Sequence, residues 1–79
     1  MITADAIREL VQRSLPDAEV RLRDLTGGGD HWEATVISAA FEGRSLVEQH
    51  QLVYAALRPQ MVSEIHALQL KTGTPSKTT

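Results

Sequence analysis

Two segments, Ala18-Glu-Val-Arg-Leu-Arg-Asp-Leu25 and Trp32-Glu-Ala-Thr-Val-Ile-Ser-Ala39, joined by Thr26-Gly-Gly-Gly-Asp30, decide the fold. In the first, Val20 and Leu22 alternate with Glu19, Arg21 and Arg23, the period of a half-exposed strand. In the second, Thr35, Val36 and Ile37 are β-branched residues that favour a pleated surface. Consecutive glycines give the connection access to positive φ, so the segments read as a hairpin.

On the C-terminal side, residues 41–44 form a connection. Ser45-x-x-Glu48 is then a capping box directly before apolar residues. Leu46, Val47, Val53, Tyr54 and Leu57 mark a helix over about 46–57. Pro59 is expected to end or kink it, with residues 60–64 adding a further short turn. A third strand is expected over 65–71, with His66, Leu68 and Leu70 on one face. On the N-terminal side, Thr3 suits an N-cap and Asp5 the first turn. Ile7, Leu10, Val11 and Leu15 give an amphipathic helix over 4–15, stopped by Pro16-Asp17.

The expected class is therefore α+β, in the order α-β-β-α-β. The hairpin pairs antiparallel, and the second helix is a crossover to a third strand parallel to the second. Both helices should cover one face of the three-stranded mixed sheet. The expected core is Ile7, Leu10, Val11, Val20, Leu22, Val36, Val53, Leu57, Leu68 and Leu70. Residues 1–72 form one domain, and 73–79, with no apolar anchor, a flexible tail.

Seventy-nine residues make one small domain, burying only about 60% of its unfolded surface. There is no cysteine, so neither a disulfide nor a thiolate ligand is available from this chain. A net charge of −2 with scattered basic residues does not point to nucleic acid or an anionic membrane. No apolar run approaches the roughly 20 residues of a membrane span. The first residues lack the layout of a signal peptide, so the expected compartment is cytoplasmic.

Three histidines carry the candidate chemistry. His31 leaves the glycine loop and His66 begins the third strand. In parallel strands these starts lie at one sheet edge, with neighbouring strands about 4.8 Å apart. The two imidazoles could converge on one metal, and imidazole suits zinc, copper and iron. A solvated loop residue and a strand-end residue remain the commoner readings of such histidines. His50 sits inside the apolar stripe of its helix and reads as a packed structural residue. The triple glycine precedes a strand, whereas a phosphate loop precedes a helix N-terminus. Ser45 is explained by its cap, and no catalytic constellation is visible, so no enzyme is expected.

Phe41-Glu-Gly-Arg-Ser-Leu-Val-Glu-Gln-His-Gln-Leu-Val-Tyr54 resembles the BolA family pattern Phe-x-Gly-x-Ser, an intervening His, then Val-Tyr. Glu64-Ile-His-Ala-Leu68 resembles the family's Ile-His-Ala-Leu strand, and Lys71-Thr-x-Thr-Pro75 also matches. The resemblance spans the first helix to Pro75. It implies a core related to KH domains of the second type. It also implies a monothiol glutaredoxin partner, with which family members hold a 2Fe-2S cluster in iron homeostasis or cluster trafficking. The glutaredoxin and its glutathione would supply sulfur ligands. The family's strand histidine falls on His66. The loop before the second strand carries Cys or His in different members, and here it carries His31, the histidine type. Such ligation raises cluster potential relative to all-cysteine ligation. No cluster is expected in the isolated chain, which should be a monomer or weak homodimer. Many members continue past the Thr-Pro with a charged third helix, for which the sequence to Thr79 has no counterpart. A KH-like nucleic-acid-binding regulator is the alternative, but the Gly-x-x-Gly clamp of KH domains is absent.

Overall fold

The computed structural model describes residues 2–75. Helix α1 (Ala4–Ser14) is capped by the Thr3 hydroxyl, which accepts from the Ala6 amide at 3.1 Å. Strands β1 (Glu19–Asp24) and β2 (His31–Ile37) follow, then a 3-10 turn (Ala39–Phe41), helix α2 (Leu46–Ser63) and strand β3 (Ala67–Gly73). The order is β1-β2-β3, with β1 antiparallel and β3 parallel to the central β2. The sheet is an open three-stranded mixed sheet, as the alternation and the crossover require.

Register explains which face is covered. Val20 lies opposite Val36, and Leu22 opposite Ala34. Leu68 and Leu70 lie opposite Trp32 and Ala34. These side chains share one parity, and they are the buried or half-buried ones. Both helices press on that face. Ile7, Val11 and Leu15 enter from α1 and its end; Val53 and Leu57 enter from α2. All ten residues expected in the core contribute, with Leu10, Leu22, Leu68 and Leu70 half-buried at its margin. Trp32, Phe41 and Ile65 are also buried in it. α1 covers the outer edge of β1 as well: Arg8 Nε donates to the Val20 carbonyl and Gln12 Nε2 to that of Ala18. Edge carbonyls satisfied this way are closed to another strand.

The first helix and the hairpin strands differ from expectation by one or two residues at their ends; the larger differences lie in α2 and β3. α2 does not end before Pro59 but runs through it to Ser63. A proline inside a helix costs about 3 kcal/mol relative to alanine. Burying an aliphatic side chain returns roughly 1.5–3 kcal/mol. Beyond the proline, Met61 packs on the core and Ile65 is fully buried, so packing offsets the lost bond. β3 starts at Ala67, leaving His66 just before it, and ends at Gly73, one residue past the expected domain limit. Residues 76–79 of the expected tail lie outside the described residues.

The connection from β2 to α2 is tied down by a polar clamp. Ser38 is fully buried, and its hydroxyl donates to Asp17 Oδ1 at 2.7 Å. The Ala39 amide donates to Asp17 Oδ2 at 2.8 Å. These two bonds, the Ser38 hydroxyl first, hold the Asp17 carboxyl below its ordinary value of 3.8. A carboxyl depressed in the folded state stabilises fully above its unfolded value, and the contribution is lost as pH falls through the folded one. In Asp17→Asn, stability should therefore decline less steeply than in wild type as pH drops below about 4. Urea unfolding at pH 7, 4 and 3 measures this; parallel declines would contradict the clamp.

Candidate metal centre

The site is built on the β1–β2 loop. Asp24 ends β1, and its carboxylate accepts the amides of Thr26 and Gly27 on Oδ1, at 3.3 and 2.9 Å. Gly29 donates to Oδ2 at 2.9 Å. Gly27 and Gly29 hold φ of 80° and 75°, which a side chain would strain. The loop amides thus converge on an internal anion, leaving none of these three for a phosphate. The Leu25 amide donates to the His31 carbonyl at 2.8 Å and closes the hairpin.

Asp30 then joins two strands. Its backbone carbonyl accepts from the amides of His66, at 2.7 Å, and Ala67, at 3.3 Å. This pins the start of β3 beside the start of β2, where His31 lies opposite Ala67. The Asp30 carboxylate meets both imidazoles: Oδ1 is 3.0 Å from His31 Nδ1 and Oδ2 is 3.2 Å from His66 Nδ1. The rings stand edge to face, 5.8 Å apart at an interplanar angle of 69°. One ligand atom from each of Asp30, His31 and His66 can be chosen so that all lie within 4.8 Å of one another. The His31 side chain is 40% exposed and that of His66 73%, so an approaching molecule can reach both.

Asp30 is held below the ordinary carboxylate value, chiefly by its bond to His31. Partial desolvation opposes the shift; His31, when protonated, and the bonds from Thr26 and His66 add to it. The Thr26 hydroxyl donates to Oδ1 at 3.2 Å and steadies the carboxylate.

The two histidines expected at one sheet edge are therefore brought together. His50 is not with them. It sits half-buried on α2 with its ring 6.4 Å from that of Tyr54. Its buried Nε2 has no hydrogen-bond partner among the described residues. Ser45 makes the reciprocal cap: its hydroxyl accepts from the Glu48 amide, and the Glu48 carboxylate accepts from the Ser45 amide. Sequence reasoning missed Asp30. A turn aspartate before a strand is ordinary, and the one available signal was its position next to a candidate ligand.

Comparison with known proteins agrees with this architecture. The family model described as BolA-like protein matches residues 6–77. The chain is 38% identical over 72 residues to Protein BOLA2 of Arabidopsis thaliana, covering 90% of this chain and 76% of that one. It is 32% identical over 71 residues to the protein RP812 of Rickettsia prowazekii, covering 90% and 92%. The solved structure of BolA1 from Arabidopsis thaliana superposes with a TM-score of 0.87 at 31% identity, over the full length of both chains.

If Asp24 organises the loop, Asp24→Ala should speed hydrogen exchange of the Gly27 and Gly29 amides while leaving Val36 and Val53 protected. Exchange NMR reads both; unchanged loop amides would show that the carboxylate is not what holds them.

Proposed function

Because the chain belongs to the BolA-like protein family, we propose that it is a non-catalytic adaptor that pairs with a monothiol glutaredoxin and co-ligates a 2Fe-2S cluster in iron homeostasis or cluster trafficking. The observation that carries this reading is the convergence of His31 and His66 at one exposed edge of the sheet. The donor set fits. A 2Fe-2S centre accepts two imidazoles on one iron in place of two thiolates. This chain offers adjacent imidazoles and no cysteine. The sulfur ligands then come from the partner and its glutathione. When bound, such a centre supplies one-electron redox chemistry and a transferable iron–sulfur unit.

The chain's own part is to bind and orient. The loop around Asp24 and the pairing of β2 with β3 hold the two rings before any partner arrives. Preorganised ligands lose little conformational freedom on binding. Two imidazoles ligate one iron of such a centre and leave the other without protein ligands, so the partner is obligatory and the isolated chain holds no cluster.

The test mixes the chain anaerobically with cluster-loaded monothiol glutaredoxin and follows the visible absorption spectrum. His66→Ala should abolish or grossly alter the spectrum of the complex, and His31→Ala should weaken or shift it. His50→Ala should lower thermal stability and leave the ligand field alone. An unchanged spectrum with His66→Ala would end the ligand assignment, even if the two proteins still associated.

The charge pattern supports an adaptor over a nucleic-acid regulator. Arg21 pairs with Glu19 at 2.6 Å and Arg23 with Glu33 at 3.4 Å on the helix-free sheet face. Arg8 and Arg13 pair with Asp5 and Glu9 on α1. Cations already paired release few counterions from a phosphate backbone. Generic DNA or RNA should therefore bind with a Kd of roughly 10⁻⁴–10⁻⁶ M at physiological salt. A nanomolar, sequence-selective shift in a gel assay would favour the regulator instead.

A further inference from the structure

We propose that Asp30 is a positioning residue whose carboxylate fixes both His31 and His66 as Nδ1–H tautomers, so that both Nε2 lone pairs are left to the metal. The inference rests on the reading of these imidazoles as ligands, but it concerns a residue that reading does not require.

An ionised carboxylate has acceptors and no donor. Each of its oxygens here faces one ring nitrogen, Oδ1 the Nδ1 of His31 at 3.0 Å and Oδ2 the Nδ1 of His66 at 3.2 Å. Both contacts become hydrogen bonds only if each ring carries its proton on Nδ1. A neutral imidazole has one such proton, so Nε2 is then unprotonated on both rings. Free imidazole side chains favour the opposite tautomer, which would place N–H groups where lone pairs are needed. The carboxylate therefore selects the ligating form of two rings at once. The same residue also sets where the rings stand. Its carbonyl accepts the His66 and Ala67 amides, and the Thr26 hydroxyl holds its Oδ1. An outer carboxylate that orients ligating histidines this way typically accounts for 10–100-fold in metal affinity.

Asp30→Asn separates this role from simple packing, because the amide keeps the shape and changes the chemistry. Its oxygen accepts from one Nδ1–H, while its NH₂ must donate to the other Nδ1. One ring is thereby driven to the Nε2–H tautomer, which cannot ligate through Nε2. The first measurement is a long-range ¹H–¹⁵N histidine spectrum of the isolated protein, above the ordinary imidazole pKa of about 6.5. Wild type should show His31 and His66 both as Nδ1–H, and Asp30→Asn should switch one of them. An Nε2–H form of either ring in wild type would overturn the proposal, whatever the cluster experiments give. The second measurement titrates each protein into cluster-loaded monothiol glutaredoxin and reads the visible spectrum. Asp30→Asn should require about 10–100-fold more protein for the same spectral change. If Asp30→Asn titrated like wild type while His66→Ala abolished the change, the ligand reading would stand and the positioning role would fall. If His66→Ala also left the titration unchanged, the ligand reading would fall. The positioning role would fall with it, since no metal would then need an unprotonated Nε2.

Discussion

The parallel pairing of β2 with β3 is the constraint on which the site depends. A parallel neighbour starts where its partner starts, so the residues entering the two strands share one end of the sheet. His31 lies opposite Ala67, and His66 immediately precedes it. An antiparallel third strand would put His66 at the far end, about seven residues of strand away at roughly 3.3 Å each. The crossover helix makes the parallel arrangement, and its burial holds it. Val53 and Leu57 lock α2 onto the covered face, while the Ser45–Glu48 box fixes where the helix begins.

The polar groups around that edge place its segments. Asp24 gathers the loop amides, and Asp30 ties the loop to β3 by backbone and side chain together. Asp17 and Ser38 do similar work at the opposite end of β2. Each carboxylate meets N–H or O–H donors from a segment distant in sequence or from a tight turn. A small domain has little core to spare, so directional bonds of this kind set the geometry where packing cannot. The imidazoles themselves remain accessible, as the proposed pairing with a partner requires.

Much of the fold was legible because its signals are local. The alternation around Val20 and Leu22, the glycine turn and the capping box each name an element without reference to the rest. Long-range features were not legible. Phe41 lies in a three-residue turn with no periodicity to mark it, yet it is fully buried. Pro59 reads as a stop by local rules, and only the burial of Ile65 and the packing of Met61 beyond it explain why the helix continues. In the site, strand topology placed both histidines at one edge, and the family resemblance singled them out as candidate ligands. Asp30 was not, because its role depends on two rings meeting it from different strands, a relation that spacing does not encode.

If His31 and His66 are ligands as proposed, two nitrogens of this chain bind the cluster in the complex with the glutaredoxin. The most direct measurement is electron–nuclear double resonance on the reduced complex, with this chain labelled with ¹⁵N-histidine and the glutaredoxin unlabelled. Two strongly coupled ¹⁵N nuclei are predicted, one lost in each of the His31 and His66 variants. A spectrum with no strongly coupled ¹⁵N from this chain would rule out ligation by either histidine.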